Sequence, residues 1–410
     1  MIKIKDILPF FIIVITFISV NQWSALPLSN VMIEWFIAFL TIITVIVYTR
    51  NATLSMPSRY FPMLNLYFGW LIFEIIRGGI IADGYWEYKQ LIAGSLALSI
   101  PVFVFPYSNP LILGYTLRKW MKYAFPAFFI FFIWVLKPGN YHFYLGPVIL
   151  LCCFLPVLKK KWRIIFIILL LVMMFSDLGA RSQVIKSFVA LILNFVYVFY
   201  RVLSFKFIKY IYVFCCFIPF ILIALGVKGH FNVFTDIYSD DDYTQQKIVN
   251  GKTVTEDLSA DTRTLLYSEV ISSAIKNRYV IIGRTPARGN DSKVLGDKIS
   301  QAVETNHQER HYNEMVFPNV FTWLGLIGLI LYFLIYIRSG YLAIYRSNNI
   351  YLKVLGLFIG FHIIYGWVED FNKFDIMNIS LWMAIAMGYS EELRRMNNNE
   401  FVLWINTIFR

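Results

Sequence analysis

Charge is what this sequence has least of. Asp, Glu, Lys and Arg make up 15% of its residues, well under the roughly 25% of a soluble domain. Apolar residues reach 58% and aromatic residues 18%. Apolar runs close to the ~20 residues that cross a bilayer recur along the chain. A soluble globular protein is excluded. Cysteine is scarce: four residues, as Cys152-Cys153 and Cys215-Cys216, each pair inside an apolar run. They read as small polarizable residues packed in helices. The polar part of the chain has no cysteine, so it holds no disulfide and no thiolate metal site. There are only five histidines, with no His-Glu-x-x-His and no Gly-x-x-x-x-Gly-Lys-Ser/Thr. The chain therefore lacks both the zinc-peptidase pattern and the ATP-phosphate cradle. Repeats, low-complexity stretches and paired Gly/Pro-broken spans are absent too, which weighs against a transporter.

What remains is an all-α polytopic membrane protein with about twelve transmembrane helices and one long external loop. Spans are expected at residues 7–25, 31–48, 60–76, 88–105, 123–136, 143–158, 164–175, 184–200, 207–227, 317–337, 351–368 and 374–389. Residues 1–227 thus carry nine spans, 228–316 the loop with helical segments, 317–390 three more spans, and 391–410 a tail. The lysines before the first apolar run have no small-residue cleavage site after it, so that span is expected to be retained.

The net charge is +12. In a soluble chain that would suggest nucleic acid; here the excess sits in short loops, and membrane topology accounts for it. With Lys3 and Lys5 in the cytoplasm, the basic loops fall on one side: Arg50 and Arg59; Arg118, Lys119 and Lys122; Lys159 to Arg163; Arg201, Lys206 and Lys209; Arg338 and Arg346; Arg394 and Arg395. Both termini are then cytoplasmic and the long loop external. Arg118-Lys119-Trp120-Met121-Lys122 is expected as a lipid-facing anchor. The amphipathic end of the tail, with Phe401, Leu403, Trp404 and Ile405, is expected on the cytoplasmic surface.

Residues 226–316 hold eleven Lys/Arg, thirteen Asp/Glu and three of the five histidines. A connection this long is uncommon without a function. Residues 259–275 predict a helix: Asp261 can cap it, Leu265, Leu266, Val270, Ile271 and Ala274 share helical spacing, and Arg263 lies near its start. Tyr279-Val-Ile-Ile282 ends at Gly283, and Arg284, Pro286, Arg288 and Gly289 form a turn with two guanidiniums. His307 and His311 have the i, i+4 spacing of metal ligands but no clear third ligand, so a base or hydrogen-bond donor fits better.

Elsewhere, Glu74 and Arg77 share a helix face at i, i+3, as a structural ion pair or a functional one. Asp370 and Lys373 read as a solvated turn, and His142 and His362 as packing or interhelical hydrogen bonds. Arg181 opens a span on the external side, against the charge rule. It pairs with Asp177 or meets an anion near the bilayer surface.

Taken in order, several of these pieces resemble the O-antigen polymerase and ligase superfamily. They are Gly179-Ala-Arg181-Ser182 opening a span, Asp261-Thr-Arg263, Tyr279-Val-Ile-Ile-Gly283, His311-Tyr-Asn313-Glu314, and Trp323-Leu-Gly325-Leu-Ile-Gly328. The likeness covers residues from about 175 to 337; in this chain Tyr312 separates the His and Asn that the family has adjacent. The resemblance implies a fold like the GT-C class of multi-span glycosyltransferases, in a bacterial inner membrane. It implies transfer of a glycan from undecaprenyl diphosphate to a lipid-linked repeat unit (polymerase) or to lipid A core (ligase), with inversion and without a metal or other cofactor. Arg181, Arg263 and His311 would be catalytic, with Glu314 an alternative base; Arg77, Arg284, Arg288, Asn313 and Glu314 would bind substrate. Expected partners are the undecaprenyl-diphosphate-linked oligosaccharide, membrane lipid and a chain-length regulator. A polysaccharide flippase is the reading from another class, and the long external loop weighs against it.

Overall fold

The computed structural model describes residues 4–53, 61–176, 181–199, 205–227, 244–249, 252–257, 262–292 and 308–409. Among them, five helical stretches are long and apolar enough to cross a bilayer: Asp6–Trp23, Val31–Thr49, Pro62–Ile81, Tyr85–Tyr107 and Val316–Tyr345. Val184–Tyr197, Ile350–Tyr365 and Ile376–Tyr389 are shorter apolar helices. Large apolar side chains such as Met32, Leu111 and Trp134 turn outward. An exposed apolar surface on this scale is stable only against an apolar solvent. The protein is a helical membrane protein.

The centre is built by the end of the chain. Every residue of Ile376–Tyr389 is buried, between Val316–Tyr345 and Ile350–Tyr365. Trp382 packs edge-on against Tyr332 and Tyr336, with ring centroids 5.9 and 5.3 Å apart. Cys152, Cys153, Cys215 and Cys216 are buried free thiols, as their apolar setting predicts. His362 is buried with Nδ1 2.9 Å from the Phe358 carbonyl, the packing role expected of it.

Two expected spans take another form. Residues 123–136 finish a longer rod: Pro110–Ala127 continues through a wide turn at Phe128–Phe132 into Ile133–Val135. Arg118–Lys122 therefore lies mid-helix. Trp120 is fully buried and donates to Thr16 Oγ1 at 3.0 Å, so this segment is not a lipid-facing anchor. An indole that finds a buried hydroxyl gains more inside than at the interface.

Residues 143–158 hold only the seven-residue helix Gly146–Cys152, flanked by 3-10 turns. At 1.5 Å per residue that is about 10 Å, too short to span. All seven residues are buried, and Gly146 lies so close to the Met377 backbone that a Cβ would come 2.5 Å from its Cα. The tail packs on the protein. Asn397 and Glu400 form a capping box, Phe401 stacks on Tyr351 at 5.3 Å, and Trp404 donates to the Pro110 carbonyl at 3.1 Å.

In the polar segment, Thr262–Lys276 is helical as its spacing predicts. A hairpin was not expected: Thr244–Val249 pairs antiparallel with Lys252–Asp257, Val249 opposite Lys252. The two residues between are Asn250-Gly251, the strongest short-range hairpin signal.

Candidate active site

The polar segment returns to the bundle as a wedge. Helix Val316–Tyr345 breaks at Gly325, which has φ 65° and ψ −169°. A break frees amides and carbonyls that hydrocarbon cannot satisfy. Here the wedge satisfies them. Arg284 and Thr285 amides donate to the Thr322 and Trp323 carbonyls at 2.7 and 3.0 Å, and the Leu326 amide donates to Val280 at 2.9 Å. Trp70 Nε1 donates to the Leu324 carbonyl at 2.9 Å. Gly283, with φ 77°, meets Gly325 backbone to backbone. On its other side the wedge fills the groove between Pro62–Ile81 and Tyr85–Ser99. A Cβ on Gly94 would sit 2.9 Å from Pro286 Cβ, and one on Gly78 3.2 Å from Thr285 Oγ1.

The guanidiniums of this region are committed within the protein. Arg77 Nη2 lies 2.7 Å from Glu74 and donates to the Gly283 carbonyl at 2.6 Å. The expected helix-face pair therefore also anchors the wedge. Arg288 grips buried Glu309 in two-pronged fashion, with Nε to Oε2 at 3.0 Å. Arg284 reaches Glu309 at 3.2 Å and Asp291 at 2.8 Å. The Gly289 amide adds a bond to Glu309 at 3.1 Å. Burial opposes ionisation of Glu309, but Arg288, Arg284 and the Gly289 amide outweigh it and hold the carboxyl below its ordinary range.

His311 follows on the short strand Glu309–Arg310 and is half-buried. Asn313 is buried in an amide ladder: its backbone amide donates to Asn319 at 2.6 Å and its side chain to Asn290 at 3.0 Å. Glu314 is exposed and pairs with Arg310 at 3.4 Å.

Residues 366–375, the turn between Ile350–Tyr365 and Ile376–Tyr389, gather these parts. Tyr312 hydroxyl bonds Asp370, and Tyr267, on the helix that carries Arg263, bonds the Trp367 carbonyl. Lys186, on the helix that begins at Arg181, lies 4.0 Å from Glu369 with its side chain 5% exposed. The Val316 amide donates to the Glu369 carbonyl at 3.2 Å. Asn372 is fully buried and takes the Tyr332 hydroxyl at 2.7 Å. A solvated turn at Asp370 and Lys373 was expected. Lys373 is exposed, but the turn is a junction, because its polar groups are bonded by Tyr267, Tyr312 and the buried Tyr332. Burial pushes both Asp370 and Asp375 up to about 6.

Beside the junction opens a cleft of about 390 Å³, lined by Gln22, Glu34, Trp35, Gln90, Lys373 and Asp375, among others.

The sequence-predicted residues thus fall into groups. Arg284, Arg288, Asn313 and the backbone bearing His311 come together around Glu309 and Asn290. Arg77 touches the same wedge from the bundle. Arg181 and Arg263 stand at the starts of their helices; their side chains, and all of His307, Asp177 and Asp261, lie outside the described residues. Sequence reading missed Lys186, Glu309, Glu369, Asp375 and the cleft. Lys186 carried a signal, a lysine in an apolar run; the carboxylates carried none.

The fold and site define a multi-span helical membrane protein in which residues 262–292 and 308–315 of the polar segment pack onto the helices. Compared with known proteins, the chain matches no family model, no curated protein and no solved structure.

Proposed function

We propose that the chain is an O-antigen polymerase of the bacterial inner membrane, moving a growing glycan from undecaprenyl diphosphate onto a new lipid-linked repeat unit. One observation carries this reading. The helix that starts at Arg181, the helix that bears Arg263 and the segment that bears His311 all dock on residues 366–370, through Lys186, Tyr267 and Tyr312.

The chemistry follows from charge. As the glycosidic bond breaks, negative charge grows on the diphosphate oxygen, and fixed cations aimed there lower the barrier. Arg181 and Arg263 supply that charge from the protein, without a metal. His311 or Glu314 receives the acceptor hydroxyl's proton, and the displacement inverts the anomeric centre. Arg77, Arg284 and Arg288 act through the wedge they lock, and Asn313 fixes the strand that follows it. The polar segment lies in the periplasm with both termini in the cytoplasm, as loop charge requires. A chain-length regulator is the expected protein partner.

The reading is tested with purified protein in lipid, lipid-linked repeat units and glycan length as readout. Arg181→Ala and Arg263→Ala abolish long chains while the protein stays in the membrane. Arg-to-Lys changes fail as well, because a point charge lacks the two-pronged donor geometry. Added chelator leaves wild-type activity unchanged. Full activity in the double alanine variant sinks the proposal, and transfer only when lipid A core is supplied reassigns it as a ligase.

A further inference from the structure

The cleft beside residues 366–375 has a composition the diphosphate site does not share. Its volume is about 390 Å³, within the ~300–1,000 Å³ of ligand pockets. It carries two carboxylates, Glu34 and Asp375, against one ammonium, Lys373. A lipid diphosphate would meet net repulsion there. A polyhydroxylated ring would not: carboxylates and amides bond hydroxyls, and an indole offers a face to C–H groups.

The walls are pre-set. Glu34 accepts from Asn21 Nδ2 at 3.2 Å and Ser29 Oγ at 3.1 Å. The Asn21 carbonyl oxygen in turn takes the amides of Leu28 and Ser29 at 2.9 and 3.0 Å. Asp375 caps Ile376–Tyr389 through Asn378 at 2.8 Å. Ser19, also on the cleft lining, accepts the Ile376 amide at 3.0 Å. The side chains of Gln22 and Gln90 line the cleft, and neither hydrogen-bonds a described residue. Two carboxylates held by their own scaffold, two uncommitted side-chain amides and one indole, Trp35, line the same cleft.

We infer that this cleft is a saccharide site, which seats the sugar of the incoming acceptor on Trp35 between Glu34, Gln90 and Asp375. The inference rests on the transferase reading for the word acceptor, but saccharide binding itself does not. It divides the work by charge. Neutral or amino sugars lie in the carboxylate-lined cleft, and the diphosphate lies across the junction near the helices of Arg181 and Arg263. Tyr312 touches both sides, bonding Asp370 and lining the cleft.

The experiment uses full-length protein in nanodiscs and saturation-transfer NMR. The probes are glucose, galactose, N-acetylglucosamine and glucosamine, with inorganic diphosphate as the contrasting anion. At least one sugar should receive saturation in the wild type. Trp35→Ala and Glu34→Gln should weaken it on the order of tenfold, the loss of one good contact. Gln90→Ala, on the cleft wall and outside any cap, guards against a folding artefact and should weaken it too. Diphosphate binding should be unchanged in all three. No transfer to any sugar, or transfer that survives all three changes, overturns the inference. Sugar binding by a protein that transfers no glycan would instead defeat the polymerase reading and leave the cleft standing.

Discussion

Gly283 and Gly325 touch backbone to backbone: each has a positive φ, +77° and +65°, and a Cβ on either would fall inside 3.0 Å of the other's amide nitrogen. One belongs to the polar segment and the other to a membrane-crossing helix. Their contact is what lets a break in that helix close against the wedge.

Alanine at either position should therefore destabilise the protein. The left-handed conformation alone costs a side chain about 1–2 kcal/mol, and the clash adds to it. Melting of Gly283→Ala and Gly325→Ala in detergent should drop by several degrees. Gly79→Ala, which meets nothing within 4 Å, should melt like the wild type. If Gly325→Ala and Gly79→Ala melt together, the interlock is wrong.

Glu309 should make the wedge acid-sensitive. Its carboxyl is held below the ordinary 4.5 because Arg288, Arg284 and the Gly289 amide outweigh burial. A depressed acid contributes stability above its unfolded value and loses it as pH falls through the folded one. Protection of the amides over 283–291, taken relative to their intrinsic exchange rates, should fall below about pH 4.5. Glu309→Ala should lower it already at pH 7, because removing one partner of a buried pair costs ~3–5 kcal/mol. The lower end applies, since Arg288 keeps Glu87 at 3.7 Å. Unchanged exchange in that variant would show the network to be idle.

Asp370 and Asp375 should act with the opposite sign. Burial raises both to about 6, so the folded protein holds these protons more tightly than the unfolded chain. Their effect favours folding at low pH and is lost as pH rises through about 6. Asp375→Asn keeps a good helix cap and removes that titration. Relative to wild type, this variant should gain in melting temperature between pH 5 and pH 8. A difference that stays constant across that range contradicts the assignment.

Sidedness can be read by labelling. In spheroplasts, Lys276→Cys, whose parent side chain is 75% exposed, should react with an impermeant maleimide. Asn398→Cys should react only after lysis. The reverse pattern would invert the proposed topology and, with it, overturn the proposal of a periplasmic active site.

How much of this was legible in the residues depends on the range of the force involved. Span positions follow from local hydropathy, so most expected spans coincide with helices. The helix at Thr262–Lys276 follows from spacing within fifteen residues. The Glu74–Arg77 pair is one turn apart and equally local. The Arg118–Lys122 anchor was misread because Thr16 lies about a hundred residues away and nothing in the segment announces it. Arg288 gave no sign that Glu309 would claim it. The junction at 366–375 looked like an ordinary polar turn, since its meaning comes from Tyr267, Tyr312 and Tyr332, on three other parts of the chain. Gly283 and Gly325 were visible as glycines, and their meeting was not.

The groove between Gly78 and Gly94 has a history. Both glycines enter the membrane early in synthesis, about two hundred residues before Thr285 and Pro286 exist to fill the space. Until the later helix arrives and breaks at Gly325, the wedge has no backbone partners to settle on. The slot between the two helices is therefore filled late, by residues made long after the helices that form it. The assembled protein is reached only after the final third of the chain has been made.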